Sequence, residues 1–249
     1  MCTLTYLPLS EEQYLLTTNR DESPDRGQSG FPSYHHVEGK NIIFPQDPKA
    51  GGTWVATSDN GISVCLLNGA NEPHELKPPY RISRGLVVME AIECIKPDEF
   101  FKNYDFTGIE PFTMVVLFHD PVLKILEFKW DGENTFLEEK DPRKPHLWAS
   151  AQLYTKKSIQ DRQQWFEKWL KKHSDYSIES IMEFHRNAGS GDLKNDMVMD
   201  RGIVKTVSIT NISSLKGIIN MTHSNLLQNS SQQISLSQHV NQEFSHHIL

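Results

Sequence analysis

The sequence predicts an α+β fold built on antiparallel sheet, and three observations carry the prediction. The β-prone runs come in consecutive pairs joined by short polar turns. The amphipathic helical segments follow those pairs instead of separating their members. No β-α-β alternation runs along the chain. At 249 residues, 37% hydrophobic and 23% charged, the chain has enough apolar material for a sizeable core. With no internal repeat and no Pro-rich linker, a single domain is expected over residues 1–221. A polar, Gln/Ser/His-rich and loosely held tail is expected over residues 222–249.

Taken in order, "CTLTYLP" and "QYLLTTN" read as a hairpin across "LSEE". "TWVATS" and "ISVCLLN" form a second hairpin around "DNG", because Asn60-Gly61 tolerate positive φ. The Gly/Pro/Ser-rich stretch from Ser23 to Gly52 reads as a loop, long enough to be functional. Ser83 caps a helix through "RGLVVMEAIECI", and "FTMVVLFH" pairs with "LKILEFKW" across "DP". "SIQDRQQWFEKWLKKHS" places Phe166, Trp169 and Leu170 on one helical face and ends in cations that suit its C-terminal dipole. "SIESIMEFHRNAG" repeats that pattern and stops at Gly189, and "IVKTVSITNI" is a late strand whose Thr206, Ser208 and Thr210 alternate onto one face.

A net charge of −7 disfavours a nucleic-acid or anionic-membrane surface, and no apolar run approaches the roughly 20 residues that a bilayer span needs. No secretory leader is read at the N-terminus, so a reducing cytoplasm is the expected location. Cys2, Cys65 and Cys94 are widely spaced and form no CxxC pair, and the histidines lack HExxH or CxxCH spacing. No disulfide framework, metal or organic cofactor is therefore expected. Cys65 and Cys94 read as inert core thiols, and His185, on an apolar helical face, as a core histidine.

Cys2 is the residue with chemistry. Once Met1 is removed, it carries a thiol and a free α-amine, whose reference pKa values of about 8.5 and about 7.7–8.0 let either exchange a proton near neutrality. The amine can take the thiol proton and return it to a leaving amine, which makes nucleophile and general base one residue. If the first two strands pair, the end of the second returns beside the start of the first and brings Arg20 and Asp21 near Cys2. Asp21 would hold the amine, and Arg20 would favour thiolate or orient Asp21 through a two-pronged contact.

Together, "MC" at the start, "TNRDE" at 18–22, "GGTW" at 51–54, "LLNG" at 66–69 and "SRG" at 83–85 resemble the NRDE family, also called the transport-and-Golgi-organisation family. That family is similar to the cysteine branch of the N-terminal-nucleophile hydrolases, which contains bile-salt hydrolase and penicillin V acylase. The resemblance implies a four-layer αββα fold with two stacked antiparallel sheets. It also implies hydrolysis of a non-peptide C–N amide bond in a small-molecule amide or acyl substrate. It matches Cys2 to the nucleophile, Arg20 and Asp21 to the orienting pair, and Asn68 to an oxyanion donor. Asn19, Trp54 and Ser150 are candidate substrate contacts. Ser150 stands in "LWASAQLY" where many relatives read Ser-Asn, and Arg162 and Arg201 are equal candidates for a late arginine. The alternative that the resemblance implies is a non-catalytic carrier on the same scaffold, handling haem or lipid.

Overall fold

A computed structural model describes residues 3–27, 29–94, 96–119 and 122–238. The first hairpin is β1 (Thr3–Pro8) and β2 (Tyr14–Glu22), in register from Thr3↔Asn19 to Pro8↔Tyr14. β5 (Val55–Ser58) and β6 (Ser63–Asn68) turn at Gly61, whose φ of +82° only glycine adopts cheaply. β7 (Phe112–His119) pairs with β8 (Leu123–Trp130), and β11 (Lys205–Leu215) is the late strand. The helices are α1 (Arg84–Glu93), α2 (Pro97–Asn103), α3 (Lys156–Leu170) and α4 (Ile178–Asn187).

α2 lies where the sequence predicts no element, and three strand-forming stretches also differ from the sequence expectation. The long Ser23–Gly52 segment contains a hairpin of β3 (Ser33–Val37) and β4 (Lys40–Phe44). Its turn, Glu38-Gly39, has both φ values positive. The connection after β8 contains β9 (Thr135–Lys140), an almost wholly exposed edge strand, and β10 (His146–Ala149). The tail expected to be loose from Thr222 onward is instead sheet over most of its described length: β12 (Ile218–Asn225) and β13 (Ser230–Ser237). Its composition misleads because only one face needs to be apolar. Ile219, Met221 and Leu236 point into the core while polar residues alternate outward.

The strands form two antiparallel sheets, one in the order β10-β1-β2-β11-β12-β13 and the other β3-β4-β5-β6-β7-β8-β9. Leu16, Leu67, Val115, Ile212 and Met221 pack between the sheets. On the outer face of the seven-stranded sheet, Val88, Ile92 and Phe101 of the first two helices cover Val64, Val116 and Phe128. Phe101 stacks on Phe128 at 4.3 Å, a contact whose truncation to alanine would cost about 3–5 kcal/mol. On the outer face of the six-stranded sheet, Phe166, Ile181 and Phe184 of α3 and α4 cover Leu7 and Leu15. The result is four layers, α-β-β-α.

Local chemistry fixes the helix starts. Ser83 Oγ accepts from Gly85 N, Thr155 Oγ1 accepts from Ser158 N, and Ser177 and Ser180 form a reciprocal capping box. Among the described residues, no helix is long and apolar enough to cross a membrane.

Candidate functional site

The site is organised by β2, a central strand whose last residues alternate between two environments. Asn19 and Asp21 face the α3–α4 layer, whereas Arg20 faces the second sheet. All three are almost wholly buried. Cys2, the expected nucleophile, lies outside the described residues, as does Met1.

On the helix side, Asp21 accepts hydrogen bonds from Tyr154 Oη at 2.5 Å and from Thr206 Oγ1 at 2.6 Å. Thr206 in turn accepts from Met199 N at 2.9 Å. Tyr154 comes from the segment between β10 and α3, and its ring carries the Arg162 guanidinium at 3.7 Å. Arg162, on α3, is fully buried. It donates to Thr3 Oγ1, Ser158 O, Asn195 Oδ1 and Asp196 O at 3.1–3.2 Å, so its charge is held by oxygen acceptors on every side. Arg201, the other late arginine, bonds Lys194 O and Leu153 O and reaches the same tyrosine ring from 5.7 Å.

A β-bulge explains why Thr206 is there. The pairing of β11 with β2 shifts between Thr206↔Asp21 and Ser208↔Arg20. Paired residues share a face, so Thr206 follows Asp21 toward the helices while Ser208 follows Arg20 toward the sheet interior. The hydroxyl stripe read from the sequence is therefore split across two faces.

On the sheet side, Arg20 lies 4.4 Å over the Trp54 ring and donates from Nη2 to Asp47 Oδ2 at 2.5 Å. Of the two roles expected for Arg20, favouring thiolate or orienting Asp21, the two-pronged contact with Asp21 gives way to an ion pair with Asp47, because the two side chains leave opposite faces of the strand. Burial lowers the pKa of Arg20, and Asp47 and Glu22 oppose that shift. Asp47 also accepts from Arg26 Nε at 2.8 Å and from the amides of Lys49 and Ala50. Burial alone would raise its pKa, but those donors and the two guanidiniums hold the carboxyl below its usual range. Arg20, Arg26, Asp47, Trp54, Asn68 and Arg84 line one cleft of about 80 Å³ between β2, the β4–β5 connection and the start of α1.

Asn68 ends β6, and its side-chain amide makes no hydrogen bond among the described residues. Its backbone carbonyl accepts from Ser150 Oγ at 2.7 Å and Gln152 N at 3.3 Å. Ser150 is fully buried and its hydroxyl also accepts from Leu153 N, so it fastens the segment carrying Tyr154 to the end of β6. Asn19 is turned toward α4: Nδ2 donates to His185 O and Met197 O, and Oδ1 contacts His185 Nδ1. Trp54 is 4% exposed, and its indole Nε1 has no hydrogen-bond partner among the described residues.

The structure thus gathers Arg20, Trp54 and Asn68 in one cleft and places Asp21 on the other face of the same strand. It binds Ser150 to the Asn68 backbone and directs Asn19 into the helix layer. Sequence reasoning did not single out Tyr154, Arg26, Asp47 or Arg84. Tyr154 stood inside "LWASAQLY" and Arg26 four residues past the NRDE run, but only tertiary pairing distinguishes them from surface residues.

The remaining thiols and histidines have defined places. Cys65 is fully buried on β6, and burial pushes its thiol up to about 12. Cys94 is a half-buried residue at the end of α1 and not part of the core. Burial lowers His185 to about 3, and it bridges Thr5 and Asn19 as a neutral ring. Among the described residues, no group of three or more His, Cys, Asp or Glu side chains is placed to hold a metal ion.

Comparison with known proteins agrees with this architecture. A conjugated bile acid hydrolase from Clostridium perfringens, solved in two mutant forms, superposes with a TM-score of 0.58 for each. The identities are 10% and 11%, and each alignment covers 96% of this chain and 94% of that one. The N-acylethanolamine-hydrolyzing acid amidase orthologue of Caenorhabditis elegans superposes with a TM-score of 0.51 at 11% identity, covering 85% of this chain and 92% of its own. At such identities the likeness establishes the fold alone. Among curated protein sequences, none matches at a significant level. Residues 1–235 match the family described as Transport and Golgi organisation 2, so the chain belongs to that family and carries it on the αββα scaffold of the N-terminal-nucleophile amide hydrolases.

Proposed function

We propose that the protein hydrolyses a non-peptide C–N amide bond, with Cys2 as nucleophile once Met1 has been removed. The observation that carries this reading is the buried Asp21 carboxylate. Tyr154 and Thr206 fix it two residues beyond Asn19, the β2 partner of Thr3, and Thr3 directly follows Cys2 in the chain. A fixed anion at that place suits the task of holding an α-ammonium group. The fold adds support, since the solved structures it resembles are those of amide-hydrolysing enzymes.

In this mechanism the α-amine of Cys2 accepts the thiol proton, and the thiolate attacks the amide carbonyl carbon. The carbonyl π electrons move to oxygen, and the unpaired Asn68 amide donates to that oxyanion. Collapse of the tetrahedral species breaks the C–N bond while the ammonium returns a proton to the leaving amine. Water then attacks the acyl-cysteine, giving the acid and regenerating the thiol. In this reading Arg20 supplies positive potential from the cleft, and Trp54 is a wall of the substrate space. Ser150 positions Asn68, and Asn19 positions β2 against α4.

Intact mass of untagged protein, before and after reaction with a thiol-directed acylating probe, tests the proposal. The expected result is loss of Met1 and one adduct at Cys2, formed faster than at Cys65 or Cys94 and absent from Cys2→Ala. Retained Met1, which blocks the amine, or a Cys2 no faster than the other thiols, would overturn it.

A further inference from the structure

The cleft around Arg20 holds more cationic donor capacity than the protein itself uses. Arg26 donates only through Nε, toward Asp47 at 2.8 Å and Glu22 at 3.5 Å, and neither of its Nη nitrogens has a partner among the described residues. Arg20 is 3% exposed, yet among the described residues only Nη2 has an acceptor, which leaves Nε and Nη1 without one there. Trp54 Nε1, buried and without a partner among the described residues, belongs to the ring beneath the Arg20 guanidinium, and the Asn68 amide, likewise without a partner there, lines the same cavity. Buried donors are nearly always matched by an acceptor, so four buried or half-buried side chains with idle donors around one cavity, the fully shielded Trp54 indole N–H among them, point to a missing acceptor.

The carboxylates at hand do not supply it. Asp47 is saturated by Arg20, Arg26 and two backbone amides, and its role is to fix both guanidiniums with their other nitrogens free. Glu22, which also lines the cleft, accepts from Ser23 N and reaches Arg26 only at Nε, at 3.5 Å. Arg84, the third guanidinium lining the cleft, is tied to Glu110 and Pro111 O and contributes field more than donors. This concentration of arginine runs against a chain whose net charge is −7.

We propose that this cleft binds the carboxylate group of a small-molecule ligand, with Arg26 as its principal donor and Arg20, Trp54 and Asn68 around it. The chemistry favours a carboxylate because guanidinium forks match its two coplanar oxygens, and the cavity of about 80 Å³ suits a headgroup of few atoms. The assignment does not depend on amide hydrolysis, since none of these donors needs a nucleophile to bind an anion.

The test follows the Trp54 indole N–H of the ¹⁵N-labelled full chain, identified among the five tryptophans by Trp54→Phe. N-acetylglycine, its uncharged N-methylamide and inorganic phosphate are titrated at constant ionic strength. A saturable shift is expected with N-acetylglycine and not with the methylamide. Arg26→Gln should weaken it by about tenfold or more while the other four indole signals stay in place, and Arg26→Lys should restore binding only in part. An equal response to the neutral methylamide, tighter binding of phosphate, or undiminished affinity in Arg26→Gln would each overturn the proposal. If Arg26→Gln disturbs the other indoles, the wild-type comparison of acid with methylamide still decides. Repeating the titration in Cys2→Ala separates this site from the hydrolase reading: binding retained without turnover leaves the site standing, and turnover with no preference for the carboxylate removes the site alone.

Discussion

Tyr154 shows how one residue outside the recognisable motifs can fix the residue at their centre. Its hydroxyl lies 2.5 Å from Asp21 Oδ2, and Arg162 holds its ring from the other side. A hydrogen bond to a buried charged group contributes about 1.5–3 kcal/mol, and removing one member exposes the other to its desolvation cost. Tyr154→Phe is therefore expected to lower unfolding free energy by about 1.5–3 kcal/mol, measured by urea titration. Asp21→Asn in the same cycle should give a coupling of about 1 kcal/mol or more. Strict additivity of the two substitutions would show that the contact carries no energy. The residue scale also marks where the sequence stops being legible. Asp21 can be picked from "TNRDE" because its spacing from Cys2 matches one hairpin. Tyr154 cannot, because nothing local distinguishes it from other tyrosines.

At the scale of elements, two motifs that look separate in sequence are one joint. The glycine of "GGTW" and the glycine of "SRG" meet: a Cβ on Gly52 would lie 2.4 Å from the Gly85 carbonyl carbon, and Thr53 N donates to Gly85 O at 3.1 Å. This contact seats the first turn of α1 against the segment that carries Trp54 just before β5, and with it the side chains of Ser83 and Arg84 at the cleft. Gly52→Ala presses on backbone that no rotamer change can move, so a loss of about 2–3 kcal/mol is expected in urea unfolding, with the cleft distorted first. An alanine variant as stable as the parent would mean that the joint opens without cost. The strand pairs and the three longer helices were legible because their periodicity is local. The β3–β4 hairpin, β9, β10 and the last two strands were not. Their residues are too polar or too short a run for periodicity to register, and pairing with neighbours far along the chain makes them sheet. The bulge between Thr206 and Ser208 is of the same kind, since an alternating run gives no sign that a partner strand will skip a residue.

For the molecule as a whole, two neutral imidazoles enclosed by the four layers set a limit on acid stability. His185 lies between the six-stranded sheet and α4, and His223 lies between the sheets, with Nδ1 at 2.8 Å from Thr210 Oγ1 and its ring 6.2 Å from Trp54. Burial lowers His185 to about 3 and, with the nearby Arg20 charge adding to it, His223 to about 4. In the unfolded chain both return to about 6.5. Below that pH the unfolded state binds more protons than the folded one, so stability is lost as pH falls, beginning near 6.5 and continuing toward the folded values. Each histidine contributes a limiting slope of about 1.4 kcal/mol per pH unit, and the two together about 2.7. Urea unfolding between pH 7.5 and 5 should show a decline that steepens below 6.5, ahead of the range in which most carboxylates titrate. His223→Gln, which keeps a side chain able to reach Thr210 but cannot titrate, should reduce the limiting slope by about 1.4 kcal/mol per pH unit. A slope unchanged in His223→Gln would show that this ring takes up its proton in the folded state and that the space between the sheets is open to water; a curve flat from pH 7.5 to 5 would show the same of both rings.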